Sequence, residues 1–398
     1  MPKILLVSET LPHPDRGGSS LTLYNIFKDY GQENFYCYTF SNSARNALVE
    51  PFVKNVLIAD KKILFRVGSW FPFSGRINLI LSQIDEFLVR LLPLQHLKEL
   101  KTFNPDVVLY CPLTAKLLKE YPKFHQQIKC PSIVYFMDDW PVGGEHIWDI
   151  KIKQILNDAL GHFFISEYLE QSMQQRLGFN KKKFLVVHNP IDLDSIVYSN
   201  VEIENKGTFR IVYAGSLWGI QLDAVKQLAE AVGVLRKRGV DIVFELYTQD
   251  RFYEPLKNFW DANGVEFGGW IPSAELRKKL HKMDLLLVAS SFLEEYKNLT
   301  LGSLQTKVTD YLAACRPVLC LGPSYSANNL FVKKWDCGLT FESRSVNELA
   351  DYLSDIIPKR NSFKDKIQNG IKVLEQKLNT KVVLNEVRDF VKNIAFVE

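Results

Sequence analysis

Short unbroken apolar runs alternate along this chain with longer stretches whose apolar residues recur every three or four positions. The first run, KILLVS at residues 3–8, has the continuous apolar character of a strand buried on both faces of a parallel sheet. A Pro- and Gly-rich loop follows, and residues 21–30 take up helical spacing. Strand-like runs recur at 35–40, 55–58, 106–110, 132–137, 161–166 and 184–188, with helical patterns between them at 79–92, 113–121 and 167–177. Residues 195–207 are polar and acidic with no apolar period, which predicts a linker. Beyond it the alternation restarts, with strands at 210–214, 241–247, 265–267, 285–289 and 318–321. The helices of this half are expected at 222–238, 254–263, 272–283 and around Lys307, and 378–396 is amphipathic. Strand–helix alternation of this kind predicts an α/β fold of doubly wound parallel sheets. Two such halves joined near residue 200 would face a cleft, with ligands at the carboxyl ends of the strands. The expected division is a first domain at 1–198, a second at 199–377, and a terminal helix at 378–398, with a return to the first domain as one option.

The bulk numbers narrow the class. A chain of 398 residues is too long for one ordinary core. With 46% apolar and 24% charged residues it is globular, and a net charge of +4 does not mark a nucleic-acid binder. Six scattered cysteines without metal-ligand spacing fit reduced thiols in a cytosol. The expected location is cytoplasmic, because no charged-then-apolar leader and no run of about 18 uncharged apolar residues is seen. The charge is uneven: Lys54, Lys61, Lys62, Arg66 and Arg76 are opposed only by Asp60. Together with Trp70, Phe71, Phe73 and a Leu/Ile-rich stretch, residues 61–97 make a basic, aromatic surface suited to anionic lipid. An ordinary core helix with a solvated basic loop explains the same residues, and the sequence leaves both open.

Residues 303–323 carry the most chemistry. They begin SLQTKVTDYLAACRP, a helix set against a Pro-led apolar strand. Lys307 and Asp310 are three apart and share a helix face, while Leu304, Val308, Tyr311 and Leu312 point to a core. The helix start near residues 303–306 offers free N–H groups and a positive dipole end, which suit a phosphate. A cation and a carboxylate in this order suit a diphosphate and a ribose. The plain alternative is an exposed helix pair worth about 0.3–0.5 kcal/mol.

Taken in order, the pieces KILLVSE with the Gly17-Gly18 loop, FFISEYLEQSM, VVHNPIDLDSI, IVYAGSL, VEFGGWIPSAELRKKLHKMDLLLVASS and TKVTDYLAACRPVL with CGLTFESRSVNELADYL span nearly the whole chain. They resemble the retaining nucleotide-sugar glycosyltransferases of the GT-B fold, in the glycosyl transferases group 1 branch. The resemblance implies two Rossmann-like domains facing a cleft. A nucleoside-diphosphate-sugar donor would bind mainly the C-terminal half, and a glycan or lipid-linked acceptor the N-terminal half. It implies no catalytic metal and no other cofactor. Transfer to an acceptor hydroxyl with retention, in cell-surface polysaccharide or glycolipid assembly, is the implied function.

The sequence departs from that pattern in several places. The family's two glutamates, separated by seven residues, fall on Gly302 and Asp310, so the first carboxylate is missing in register. Glu294 or Glu295 would supply it only if residues 296–301 fold back. Cys315 stands where the family has glycine. The Arg and Lys that clamp the diphosphate fall on Ser216 and Gln221, which moves the donor phosphate contact onto Lys307. Gly17 and Gly18 would let the backbone approach phosphate oxygens, though a glycine pair is also an ordinary turn. Asp138 and Asp139 follow an apolar strand, where the family often has His-Asp; Met137 holds the His position. A carboxylate there would orient the acceptor hydroxyl or take its proton. Asp139 as a turn or cap residue is the structural alternative, and one acidic pair is thin support for a metal. His188 and Asn189 match the family's inter-domain crossing. The departures keep two other functions open: a catalytically inactive subunit that binds a nucleotide-sugar or a partner protein, and a nucleotide-sugar epimerase or hydrolase on the same fold.

Overall fold

A computed structural model describes residues 1–14, 18–39, 55–59, 92–139, 148–196 and 207–396. Two parallel sheets organise them. The first has seven strands: β1 (Ile4–Ser8), β2 (Phe35–Thr39), β3 (Val56–Ile58), β4 (Val107–Cys111), β5 (Ser132–Phe136), β6 (Gly161–Phe164) and β7 (Lys183–Val186). Their spatial order is β3-β2-β1-β4-β5-β6-β7. β1 pairs in parallel on both sides, with Ile4 level with Phe35 and with Val107. That central place explains its fully buried residues and its unbroken apolar run.

The second sheet contains β8 (Phe209–Ala214), β9 (Ile242–Tyr247), β10 (Val265–Phe267), β11 (Leu285–Ala289), β12 (Val318–Leu321) and β13 (Leu339–Phe341), in the order β10-β9-β8-β11-β12-β13. Alternate side chains serve two cores, one per face. Ile211, Tyr213, Leu285, Leu287 and Leu319 lie in one cluster, and Val212, Ala214, Leu286, Val288 and Val318 in the other. In each sheet the strand order reverses beside the first strand, between β1 and β4 and between β8 and β11, so each domain has a topological switch point there.

Local signals set the helix ends. Ser166 caps the helix Glu167–Leu177 by accepting from the Leu169 N–H at 3.0 Å, and Gly178 ends it in the left-handed region. Pro255 starts a short 3-10 turn, Glu254–Leu256, so the single helix expected at 254–263 is broken before Lys257–Ala262. The terminal helix Thr380–Ala395 packs into the first domain, where Val383, Leu384, Val387, Val391 and Ile394 join its core. A Cβ on Gly161, at the start of β6, would lie 2.7 Å from the Phe390 ring, so only glycine lets this helix settle on the sheet.

Strand β13 and the helices Asp149–Asp158, Ala327–Trp335, Val346–Ile356 and Lys364–Val373 add to the expected elements. The helix pattern at 79–92 lies outside the described residues apart from its last position, as do Gly17 and most of the linker at 195–207 and of the surface at 61–97. Among the described residues no helix is long and apolar enough to cross a membrane, and all six cysteines are unpaired.

Candidate functional site

The helix carrying Lys307 is shorter than its sequence pattern suggests. Gly302 ends one helix, Lys297–Gly302, and the next, Lys307–Ala313, begins at the lysine itself. Lys307 therefore stands at the first turn, and Asp310 follows on the same short helix. The lysine Nζ sits 3.7 Å from the centre of the Tyr213 ring at the end of β8, a cation–π contact. Gly215, just past β8, has φ 131° and its absent Cβ would lie 3.2 Å from Nζ, so glycine serves both the turn and the close approach. Tyr213 is held by its hydroxyl, which donates to the Ser216 carbonyl at 2.8 Å, and the Tyr311 hydroxyl accepts from the Ala214 N–H at 2.9 Å.

Lys307 and Asp310 do not pair with each other. Neither side chain has a hydrogen-bond or ion-pair partner among the described residues. Loss of hydration pushes the lysine down to about 7. The same cause pushes Asp310 up to about 6, with Arg277 pulling it partly back. Two opposite ionisable groups, half-buried and uncompensated, stand at the carboxyl ends of the second sheet. Unpaired groups of this kind mark functional sites more often than structural ones.

The wall beside them is polar and braced. Gln305 donates to the Ala289 carbonyl at the end of β11 at 2.6 Å, and its own N–H is accepted by Asn328 at 3.0 Å. Asn328 donates in turn to Ser290 at 2.8 Å. Ser216 is exposed on the β8 side, whereas Gln221, the other position of the missing clamp, is buried with its carbonyl oxygen unpartnered.

The first domain meets this segment through three successive strand ends. Asp138, after β5, accepts from the Ser303 hydroxyl. Ser166, after β6, donates to the Gly302 carbonyl at 2.6 Å. Asn189, after β7, accepts at its carbonyl from Thr309 at 2.8 Å, while Asn25 donates to the Asn189 side chain at 3.2 Å. Asp138 keeps a solvent-exposed side but is crowded elsewhere; that crowding raises its carboxyl from the ordinary value, and Ser303 lowers it partly. His188 is buried with both ring nitrogens unpartnered among the described residues, and burial pushes it down to about 3, so it is a neutral interface residue.

Several expected roles take a different shape. Asp139 is fully buried and ion-paired with Arg176, which also holds Asp149, so its carboxylate is a structural tie rather than a group open to the cleft. Adjacent residues leaving a strand point to opposite sides, which separates Asp138 from Asp139. Residues 296–301 do not fold back. Glu294 and Glu295 open a 3-10 turn that runs into the helix Lys297–Gly302; both are exposed, and Glu294 pairs with Lys297 at 2.8 Å. A side chain at Gly302 would crowd this seat, because a Cβ would lie 2.6 Å from Leu169 Cδ1 and 3.2 Å from Leu169 Cα. Gly18 adopts φ 61° before the first helix, Ser19–Phe27, with open space where a Cβ would be. Ser166 and Tyr213 were not singled out by sequence, and Ser303 only as part of the expected helix start; Ser166 did carry a signal, as the cap of S-E-Y-L-E. Among the described residues no group of three or more His, Cys, Asp or Glu is arranged to hold a metal ion.

No protein-family model and no curated protein sequence matches the chain. Solved structures do match over its full length. Anabaena Alr3699/HepE, in complex with UDP-glucose, has a TM-score of 0.69 at 16% identity, covering 99% of this chain and 100% of that one. The fold is GT-B. A sucrose-phosphate synthase from Thermosynechococcus elongatus shares the GT-B fold with a TM-score of 0.71 at 11% identity, over 99% of both chains. A glycosyltransferase from Rickettsia africae has a TM-score of 0.64 at 11% identity, over 100% of both. In the GT-B arrangement the Lys307 segment lies where the two domains face each other, as the contacts from Asp138, Ser166 and Asn189 require.

Proposed function

We propose that this protein is a glycosyltransferase that moves a sugar from a nucleoside diphosphate to an acceptor hydroxyl. The observation that carries this reading is Lys307: a lysine with no ion-pair partner among the described residues, seated on Tyr213 at the carboxyl ends of the second sheet. A departing diphosphate gains negative charge, and an ammonium already in place stabilises it without reorganising at the moment of reaction. In this reading Asp310 accepts from a ribose hydroxyl, Ser216 lies along the diphosphate, and the Gly18 backbone of the first domain is a further phosphate contact, with Gly17 beside it in sequence. Asp138 takes the acceptor proton. The acceptor oxygen bonds to the anomeric carbon, the bond from that carbon to the diphosphate breaks with its electron pair, and Lys307 meets the charge so formed. Retention of the anomeric configuration, a UDP-sugar as donor and a glycan or lipid-linked acceptor at a cytoplasmic membrane face are the finer parts of the proposal. The resemblance to retaining enzymes supports the first of these, and the UDP-glucose held by the Anabaena neighbour the second.

One observation favours a second reading, a nucleotide-sugar-binding subunit without activity: glycine stands where the family has its first carboxylate, and its close seat on Leu169 disfavours a side chain there. Thermal-shift screening against UDP-, GDP-, dTDP- and ADP-sugars separates the readings, since a ligand that prefers the native state raises the melting temperature. A shift with one donor, accompanied by nucleotide release and lost in Lys307→Ala, is the expected result. A shift without turnover in any condition would favour the inactive subunit, and normal binding by Lys307→Ala would overturn the site.

A further inference from the structure

Asp138 has a single side-chain partner among the described residues, and that partner comes from the opposite domain. An ionised carboxylate only accepts, so the Ser303 hydroxyl is the donor. Ser303 is not placed there by chance rotation. The carbonyl just before it, on Gly302, is gripped by the Ser166 hydroxyl at 2.6 Å, and Gly302 itself rests on Leu169. The main chain of Ser303 is thereby fixed against the first domain, four residues ahead of the lysine assigned to the diphosphate.

We propose that Ser303 is a positioning residue that caps Asp138, holding the place of the acceptor hydroxyl so that water does not occupy it before the acceptor arrives. The inference rests on the transferase reading and deepens it. A hydroxyl donating to the Asp138 carboxylate is the same contact the acceptor would make, so the serine and the acceptor compete for one place. The acceptor displaces the serine by a turn of its hydroxyl about the Cα–Cβ bond, which leaves the main-chain anchor untouched. Without the cap, water donates to Asp138 instead. Its oxygen then bonds to the anomeric carbon and the bond to the diphosphate breaks with its electron pair. The water proton passes to Asp138, and free sugar and nucleoside diphosphate are the products. Ser303 thus sets the ratio of transfer to hydrolysis, and donor affinity stays with Lys307.

The test needs no acceptor. UDP-glucose, with GDP-, dTDP- and ADP-glucose in parallel, is incubated with the full chain, and both donor binding and nucleotide release are measured in wild type, Ser303→Ala, Ser303→Thr and Ser303→Ala/Asp138→Asn. Ser303→Ala is expected to bind donor as wild type does and to release nucleotide at least about threefold faster. Ser303→Thr keeps the hydroxyl and should return release towards the wild-type rate, and the double variant should fall to that rate or below. Unchanged or slower release by Ser303→Ala, with donor still bound, overturns the cap. Loss of donor binding in both serine variants makes Ser303 a structural residue and overturns it as well. Failure of wild type to bind any of the four donors is a different result, which overturns the transferase reading and the cap with it.

Discussion

Lys307 and Asp310 show how far one pair of residues can be read from a sequence. Their spacing points to a shared helix face and their types to a diphosphate and a ribose, and the structure keeps them together. Their mutual independence was hidden, because it depends on Gly302 ending one helix and on the next starting at the lysine. For Asp138 and Asp139 the sequence offered a catalytic role for either and a turn or cap role for Asp139; the end of β5 leaves Asp138 exposed and turns Asp139 to Arg176, a tie no spacing could show. The lysine has a pH signature. Its folded pKa, lowered to about 7, lies below the unfolded value of about 10.4. Between those values the unfolded chain binds more protons, so the stability contribution of this site rises with pH and is poorest below about 7. Lys307→Met should therefore raise the melting temperature near neutral pH, by about 2–4 °C for each kcal/mol relieved, with the gain shrinking towards pH 10. A melting series over that range checks it; an equal or lower melting temperature at neutral pH would show that the buried ammonium carries no such cost. The same variant should lose nucleotide binding, a trade of stability for function.

At the level of elements, the parallel strands were legible because burial on both faces leaves them almost wholly apolar, as in β1, β4 and β11. Short edge pieces gave a mixed result: β3 and β10 match the runs expected at 55–58 and 265–267, whereas β13 had no such signal. β13 has three half-buried residues, too few for any period to emerge. The missing family glutamate now has a physical reason. The helix Lys297–Gly302 docks on Glu167–Leu177 with Gly302 against Leu169, a contact that sequence alone cannot reveal. Gly302→Ala should cost about 1–3 kcal/mol through overpacking of this seat. Leu169→Ala in the same chain should make the two losses less than additive, since the partner shrinks. Denaturant titration of the two single variants and the double reads this directly, and strict additivity would show that the two residues do not meet.

For the whole molecule, two domains share one chain end. The helix Thr380–Ala395 belongs by sequence to the second domain's end and by packing to the first domain's core, which a periodicity argument could leave only as an option. Removing residues 380–398 would strip Val383, Leu384, Val387, Val391 and Ile394 from that core. The expected outcome is an aggregated or early-melting first domain with the second sheet's transition little changed, followed by calorimetry; an unaltered first transition would contradict the packing. The chain also crosses between domains at His188 and Asn189, and the three strand-end contacts onto residues 302–309 bring that segment to the first domain's sheet. The transferase reading depends on that meeting of halves, with Lys307 as its charge. Calorimetric titration of wild type and Lys307→Ala with UDP, GDP, dTDP and ADP tests it most directly. The account predicts that one of these nucleotides binds wild type at least about tenfold more tightly than the variant, about 1.4 kcal/mol or more. Equal affinity of the two proteins for every nucleotide would contradict it.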